Sequence, residues 1–471
     1  MELCFESNYE GSFVESGRLT VAAQRSRRDL QDLIDKTSND GVIVGTGTVN
    51  ANLFESTVTE VAFAINDYSV LAATQGYFHH KKLDRILSVA HYSQLPVIMF
   101  TEGGGGRPGD TDVKTNVAGL EVPTFSAWAA LDTLKISVNR GYCFAGNALL
   151  FGCADIRVAT KDSSIGMAGP AMIEGGGLGK FAAEEIGPAD MHAKNGAIDF
   201  LVENEDEAIA VSKKLLGYFQ GSLKSWQCED QGALWDILPE DRRFSYDIRK
   251  LIDAFVDQDS FLEFQQLFGR ALVCGFARIE GRPFALIAND TRQLGGALDR
   301  DASTKGARFF ELCEKTGIGI ISLCDTPGFM VGPDSEREGS MSASAKLMIA
   351  GARLSVPLVC IVIRKAYGLG VMAMAGGDLA RPVHTAAWPT GEFGGMGLEG
   401  AVNLGFKKEL DAASSPEERA EVFEKILAML YEKGSATETA SFLEIDSVIN
   451  PGDTRKVVLR AMAGAQKRFS R

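Results

Sequence analysis

The chain repeats itself. Residues 97–109 read VIMFTEGGGGRPG and residues 321–333 read ISLCDTPGFMVGP; both are apolar runs that break into a Gly/Pro-rich loop. A second pair follows, NRGYCFAGNAL at 139–149 and IRKAYGLGVMA at 363–373. Ala145 precedes Leu369 by 224 residues and Gly104 precedes Gly328 by 224, while the Asn66-Asp67 and Asn289-Asp290 pairs lie 223 apart. Blocks at nearly one offset predict a duplicated domain. The constraint is strong: the unit must fold twice, with two glycine turns after strands in each copy. At 471 residues the chain is long enough for two cores. The polar stretch 225–247 contains Pro239 and separates the copies, which predicts an N-terminal domain at 1–238 and a C-terminal domain at 239–471.

Within each copy, strands and helices alternate. Residues 41–49, 60–67 and 94–100 read as buried strands, and 78–93 carries apolar positions at helical spacing. The second copy repeats this with strands at 272–279, 282–289, 318–324 and 357–363 and helices at 303–317 and 342–356. The pattern predicts an α/β protein of helices packed on sheets.

Composition narrows the function. The formal net charge of −14 argues against a nucleic-acid binder, which needs a basic footprint. No uncharged apolar run of about 18 residues predicts a membrane span, and no signal peptide is evident. The eight cysteines show no CxxC spacing; Cys143, Cys153, Cys324 and Cys360 sit in apolar runs and read as reduced core residues of a cytoplasmic protein. There is no HExxH, GxSxG, GxGxxG or P-loop, so no metal site is expected. His79 and His80, beside Lys81 and Lys82, read as a solvated or anion-facing surface, and His192 as a satisfied histidine near a helix end.

The glycine loops are what remains. A strand that ends in glycines frees backbone N–H groups and lets an anionic oxygen approach closely. A helix that follows adds its positive end. Such donors stabilise the oxygen of an enolate or tetrahedral centre by a few kcal/mol. A single loop of this kind is most often only a turn; four at duplicated positions point to chemistry carried by backbone amides.

The strings ALDRDASTKGARFFELCEKTGIGIISLCDTPGF (297–329), RKAYGLGVMAM (364–374), AWPTGEFGGMGLEGAV (387–402) and IDSVINPGDTR (445–455) resemble the carboxyltransferase (beta) subunit of biotin-dependent acyl-CoA carboxylases, of the propionyl-/acetyl-CoA carboxylase type. KDSSIGMAGPAMI (161–173) and EEIGPADMHAKNGAIDF (184–200) extend the likeness into the first half. The resemblance implies tandem duplicated crotonase-like domains, each a ββα superhelix, in a homodimer-based hexamer whose sites join one subunit's N-domain to another's C-domain. It implies transfer of a carboxyl group from biotin on a carrier protein to the α-carbon of an acyl-CoA, the decarboxylated ureido nitrogen taking the α-proton. Ala145 and Gly146 would hold the thioester oxygen, and Leu369 and Gly370 the ureido oxygen. Gly104, Gly105, Gly106, Arg107 and Gly141 would lie on the acyl-CoA side; Gly328, Phe329, Tyr367, Gly368 and Met372 would form the biotin and acyl pocket. Arg107 and Lys365 would either reach CoA phosphates or pair with carboxylates. With no biotinylation signal and no ATP-grasp pattern, partners are implied: a biotin carboxylase and a biotin carrier subunit.

Departures from the family carry information. GGGGR (103–107) stands where relatives have Ser-Gly-Gly-Ala-Arg, and Gly141-Tyr142-Cys143-Phe144-Ala145-Gly146 where they have Gly-Pro-Cys-Ala-Gly-Gly. The segment 337–346 lacks the family's Gly-Ala-Lys pattern, which bears on carrier docking. Met372 replaces an Asp at a position that influences acyl choice in the family, so an acyl group larger or less usual than acetyl or propionyl is expected. The same site also suits a biotin-dependent decarboxylase running in reverse, and altered loops suit a non-catalytic assembly subunit. A hydratase is less suited, because Glu102 alone offers a carboxylate at a suitable loop.

Overall fold

The computed structural model describes residues 12–107, 109–113 and 121–469. The chain divides into two compact units between Gly221 and Ser222. That lies upstream of the expected boundary at Pro239. Residues of the intervening segment bond into the second unit: Leu223 N donates to Gly281 O at 3.0 Å, Gln231 Nε2 to Ala254 O at 2.8 Å, and Leu234 is buried in that unit's core.

The first unit is built on a seven-stranded sheet in the order β1-β2-β3-β4-β5-β7-β9. Its strands are β1 (Val14–Ser16), β2 (Val42–Thr48), β3 (Glu60–Asn66), β4 (Val97–Phe100), β5 (Lys135–Asn139), β7 (Ile156–Thr160) and β9 (Phe200–Val202). A two-stranded ladder joins β6 (Tyr142–Phe144) to β8 (Ser164–Gly166). β1, β2 and β3 pair antiparallel, and β3 onward pairs parallel. The core packs Val42, Val44, Ala62, Ala64, Val97 and Met99 against Leu83, Ile86, Leu87 and Ala90 of the helix Tyr77–Ser93.

The second unit repeats the plan in β10 (Leu262–Phe264), β11 (Leu272–Ile279), β12 (Arg282–Asn289), β13 (Ile320–Thr326), β14 (Leu358–Tyr367), β15 (His384–Ala387), β16 (Glu392–Gly394) and β17 (Ser447–Val448). The antiparallel-to-parallel switch recurs at β12. Parallel strands covered on both faces need no polar side, so Leu358 to Ile363 are all buried.

The strand registers date the repeat to a single offset of 223. Ala62 faces Val97 as Ala285 faces Ile320; Val97 faces Lys135 as Ile320 faces Leu358; Gly103 faces Cys143 as Thr326 faces Ala366. Two helices of 17 residues, Tyr77–Ser93 and Arg300–Thr316, keep the same spacing. The offset of 224 read between Ala145 and Leu369 is therefore corrected by one. Ala145 matches Gly368, Gly146 matches Leu369, and Gly105 matches Gly328. Strings of adjacent glycines tolerate a one-residue slip on paper that hydrogen-bond register does not. One difference follows at once: Gly141, at φ +73, breaks β5 from β6, whereas Arg364 at the matching place lets β14 run on unbroken.

Candidate functional site

In each unit a loop after the second parallel strand meets the start of a short helix. In the first unit the loop is Gly103–Gly106 and the helix Gly146–Gly152; in the second they are Thr326–Phe329 and Gly368–Met374. The loop is pinned identically in both. Gln75 N donates to Gly105 O at 2.9 Å and Arg107 N to Gln75 O at 2.9 Å, matched by Leu298 N to Gly328 O at 3.0 Å and Met330 N to Leu298 O at 2.9 Å. This pinning consumes carbonyls on one edge of the loop. The N–H groups of Gly105, Gly106 and Phe329 make no hydrogen bond among the described residues. Gly146 and Leu369 lie in the first turn of their helices, where N–H groups lack an intrahelical acceptor. Each unit thus sets loop donors beside helix N-terminal donors.

The expected site residues are placed as follows. Ala145, expected to present its N–H to a carbonyl oxygen, instead donates it to Gly166 O at 2.9 Å, extending the β6–β8 ladder. Its φ of +52 turns the chain so that Gly146 opens the helix. Gly104 N is also used, bonding Ala72 O at 3.0 Å. Gly105 approaches the helix closely; a Cβ there would sit 2.7 Å from that of Ala145. Gly141 turns beside Glu102, whose carboxyl is pushed up to about 7 by burial. In the second unit Gly328 donates to Thr326 Oγ1 at 3.1 Å, and a Cβ on Gly370 would fall 2.6 Å from Gly328 Cα. Tyr367 donates its hydroxyl to Glu392 at 2.8 Å, and burial raises its phenol above the usual range.

Arg107 does not reach outward. Its side chain, 6% exposed, pairs with Asp40 and with Asp110 at 3.0 Å, and Gly76 leaves the space for the guanidinium. Asp110 in turn accepts Tyr77 N at 2.8 Å, so Arg107 ties the glycine loop to the start of the helix Tyr77–Ser93, which precedes it in the chain. Of its two expected roles, pairing with carboxylates is the one observed. Lys365 donates to Gly295 O at 2.7 Å and lies 3.7 Å from Asp325.

The histidine-lysine run is another correction. His79 and Lys82 are buried, not solvated, because they extend the stripe of Leu83, Ile86 and Ala90 by one helical turn. Burial pushes the His79 imidazole down to about 3. His192 is satisfied, with Nε2 at 2.7 Å from Ile165 O. Sequence reasoning missed Gln75, whose side chain lies against the helix start at Gly146 and Asn147 while its main chain holds the first loop; a lone Gln in a turn carried no signal.

A cavity of about 550 Å³ opens beside the second helix start, lined among others by Leu369, Val371, Met372, Leu379, Phe393 and Phe442. Gly368 also lines it, whereas Gly328 and Phe329, expected in the same pocket, do not. Among the described residues no group of three or more His, Cys, Asp or Glu side chains could hold a metal ion, and no helix is long and apolar enough to cross a membrane.

Comparison with known proteins identifies the family. The chain is 31% identical to the propionyl-CoA carboxylase beta chain of Saccharopolyspora erythraea, across 96% of this chain and 85% of that one. It is 31% identical to the methylmalonyl-CoA carboxyltransferase 12S subunit of Propionibacterium freudenreichii subsp. shermanii, across 94% and 84%. Among solved structures, a single-chain, multi-domain long-chain acyl-CoA carboxylase superposes with a TM-score of 0.89 at 46% identity, across 96% of this chain and 44% of that longer one. The transcarboxylase 12S hexamer with methylmalonyl-CoA bound superposes with a TM-score of 0.82 at 28% identity, across 97% and 87%. Residues 8–469 match the carboxyl transferase domain, and the chain, a tandem pair of crotonase-like units, belongs to that family.

Proposed function

We propose that this protein moves a carboxyl group from biotin on a partner carrier to the α-carbon of an acyl-CoA whose acyl group is larger than acetyl or propionyl. The observation that carries the reading is the repeated pairing of loop donors with a helix start, at one offset in both units. Two oxygens that gain charge during the transfer need two such sites: the thioester oxygen and the ureido oxygen. By this reading Gly146, with Gly105 and Gly106, serves the thioester, and Leu369 with Gly370 serves the ureido group. The biotin group supplies the carboxyl and, after giving it up, a nitrogen base. The chain's part is to hold both oxygens against fixed dipoles, which need no reorganisation as charge develops. The mixed wall of the 550 Å³ cavity, apolar side chains with backbone donors at its edge, fits an acyl chain or a bicyclic ureido ring. A biotin carboxylase, a biotin carrier and a dimer-based hexamer complete the proposed assembly.

The substrate class rests on Met372. An adaptable thioether in the cavity wall favours apolar length over small acyl groups. The test measures loss of the carboxyl from malonyl-CoA, methylmalonyl-CoA and 2-carboxypalmitoyl-CoA in the presence of free biotin. Biotin-dependent turnover is expected, with kcat/KM highest for the longest ester. Met372→Asp is expected to lower that preference about tenfold or more, as a buried charge faces the chain. A wild-type preference for malonyl-CoA would overturn the acyl assignment. No turnover of any ester by folded protein would overturn the function.

A further inference from the structure

The two loop-and-helix sites are held together by different means, and the difference centres on two buried side chains. In the second unit the join is backbone on backbone: Gly370 packs so closely on Gly328 that no side chain fits at 370. The matching residue in the first unit is Asn147, fully buried, in the first turn of the helix Gly146–Gly152. Its Nδ2 donates to Gly104 O at 2.7 Å and to Ala73 O at 3.2 Å. Its Oδ1 accepts Gln75 Nε2 at 2.7 Å. Gln75 is also buried, and it stands where the second unit has Leu298. The Gln75 side chain lies against Gly146 itself, with Oε1 only 2.2 Å from where a Cβ on Gly146 would be. The Gln75 main chain holds the loop through Gly105 O and Arg107 N.

From this geometry we infer that Gln75 and Asn147 are positioning residues that set the distance and angle between the Gly105–Gly106 donors and the Gly146 donor. The inference rests on the proposed acyl-CoA reaction and names how its thioester-side site is made rigid. Both side-chain polar atoms of Asn147 are committed, to Gly104 O, Ala73 O and Gln75, so the helix start cannot shift without breaking buried hydrogen bonds. An unpaired buried amide is costly, which makes the arrangement stiff. Neither side chain touches the reacting atoms; both act through backbone N–H groups.

The experiment compares wild type with Asn147→Ala and Gln75→Leu, the latter carrying the second unit's residue. Turnover of malonyl-CoA, methylmalonyl-CoA and 2-carboxypalmitoyl-CoA is measured with free biotin, as kcat and KM separately. The thioester carbonyl stretch of bound palmitoyl-CoA is recorded by infrared difference spectroscopy. Misaligned oxyanion donors are expected to lower kcat about 10- to 100-fold, with KM changed less than about threefold. The carbonyl band is expected to move back toward its position in free palmitoyl-CoA. A purely structural role would lower thermal stability and leave the band in place. Should Asn147→Ala fail to fold, Gln75→Leu decides. Wild-type kcat and an unmoved band in a folded variant overturn the inference alone. Absence of turnover in the wild type overturns the functional reading and this inference with it.

Discussion

At the scale of single residues, the clearest demands come from buried lysines. Lys82 Nζ donates to Asn39 O at 3.2 Å and also to Val42 O; Lys305, 223 residues later, donates to Gln265 O at 3.0 Å and Phe268 O at 3.2 Å. Both ammonium groups serve turns in which Asn39 and Gln265 have positive φ, so the carbonyls of a strained turn need an internal donor. Burial lowers the Lys82 ammonium to about 8 and that of Lys305 below its usual range. Lys305→Met removes the ammonium from Phe268 O and leaves Gln265 O with Phe268 N, at 3.1 Å; a loss of about 1–3 kcal/mol is expected by urea unfolding. The lysines were not legible in the sequence as core residues. Charge alone says surface, and only a partner carbonyl far along the chain reverses that.

At the scale of elements, the helix start is the working part. Leu369 is 61% exposed, so changing its side chain disturbs little packing, and proline is tolerated in a helix's first turn. Leu369→Pro removes one N–H. Carboxyl transfer is expected to fall about 100- to 1,000-fold with melting temperature nearly unchanged, measured by steady-state kinetics and thermal unfolding. Elements of this kind were largely legible. Strands at 60–67 and 282–289 and helices at 78–93 and 303–317 were found within a few residues, because apolar runs and helical spacing mark them. Helix Arg300–Thr316 starts earlier than read because Asp299 caps it, accepting Ala302 N at 2.8 Å. The ladder partners of the glycine turns, such as Gly166 for Ala145 beside the three-residue pairing of β6 with β8, were not legible: a short parallel pairing has no periodicity to show.

At the scale of the whole molecule, two units from one plan have drifted apart in what they bury. His79 has Ala302 as its counterpart, both fully buried. The His79 imidazole stays neutral in the fold down to about 3, whereas an unfolded chain protonates it near 6.5. The unfolded state therefore binds more protons between those values, and stability is lost as pH falls through that window. From pH 7 to pH 5 the first unit is expected to lose roughly 2 kcal/mol from this group. Hydrogen exchange along Tyr77–Ser93 checks it: protection falls on acidification, and Arg300–Thr316 does not follow. The duplication was legible because it recurs in two separate blocks, yet its register was not, since Gly103–Gly106 offers several equal alignments to Gly328.

The contact of Gly370 on Gly328 has a consequence for anyone who would recombine the halves. A methyl group at 370 has nowhere to go, so the second half cannot accept the first half's Asn147 by one exchange. Loop, helix turn and the residue at 75 or 298 must travel as a single cassette. Chimeras cut inside that cassette should be dead, and those cut outside it viable, which makes the boundary of the smallest transplantable part a property that can be mapped by library selection.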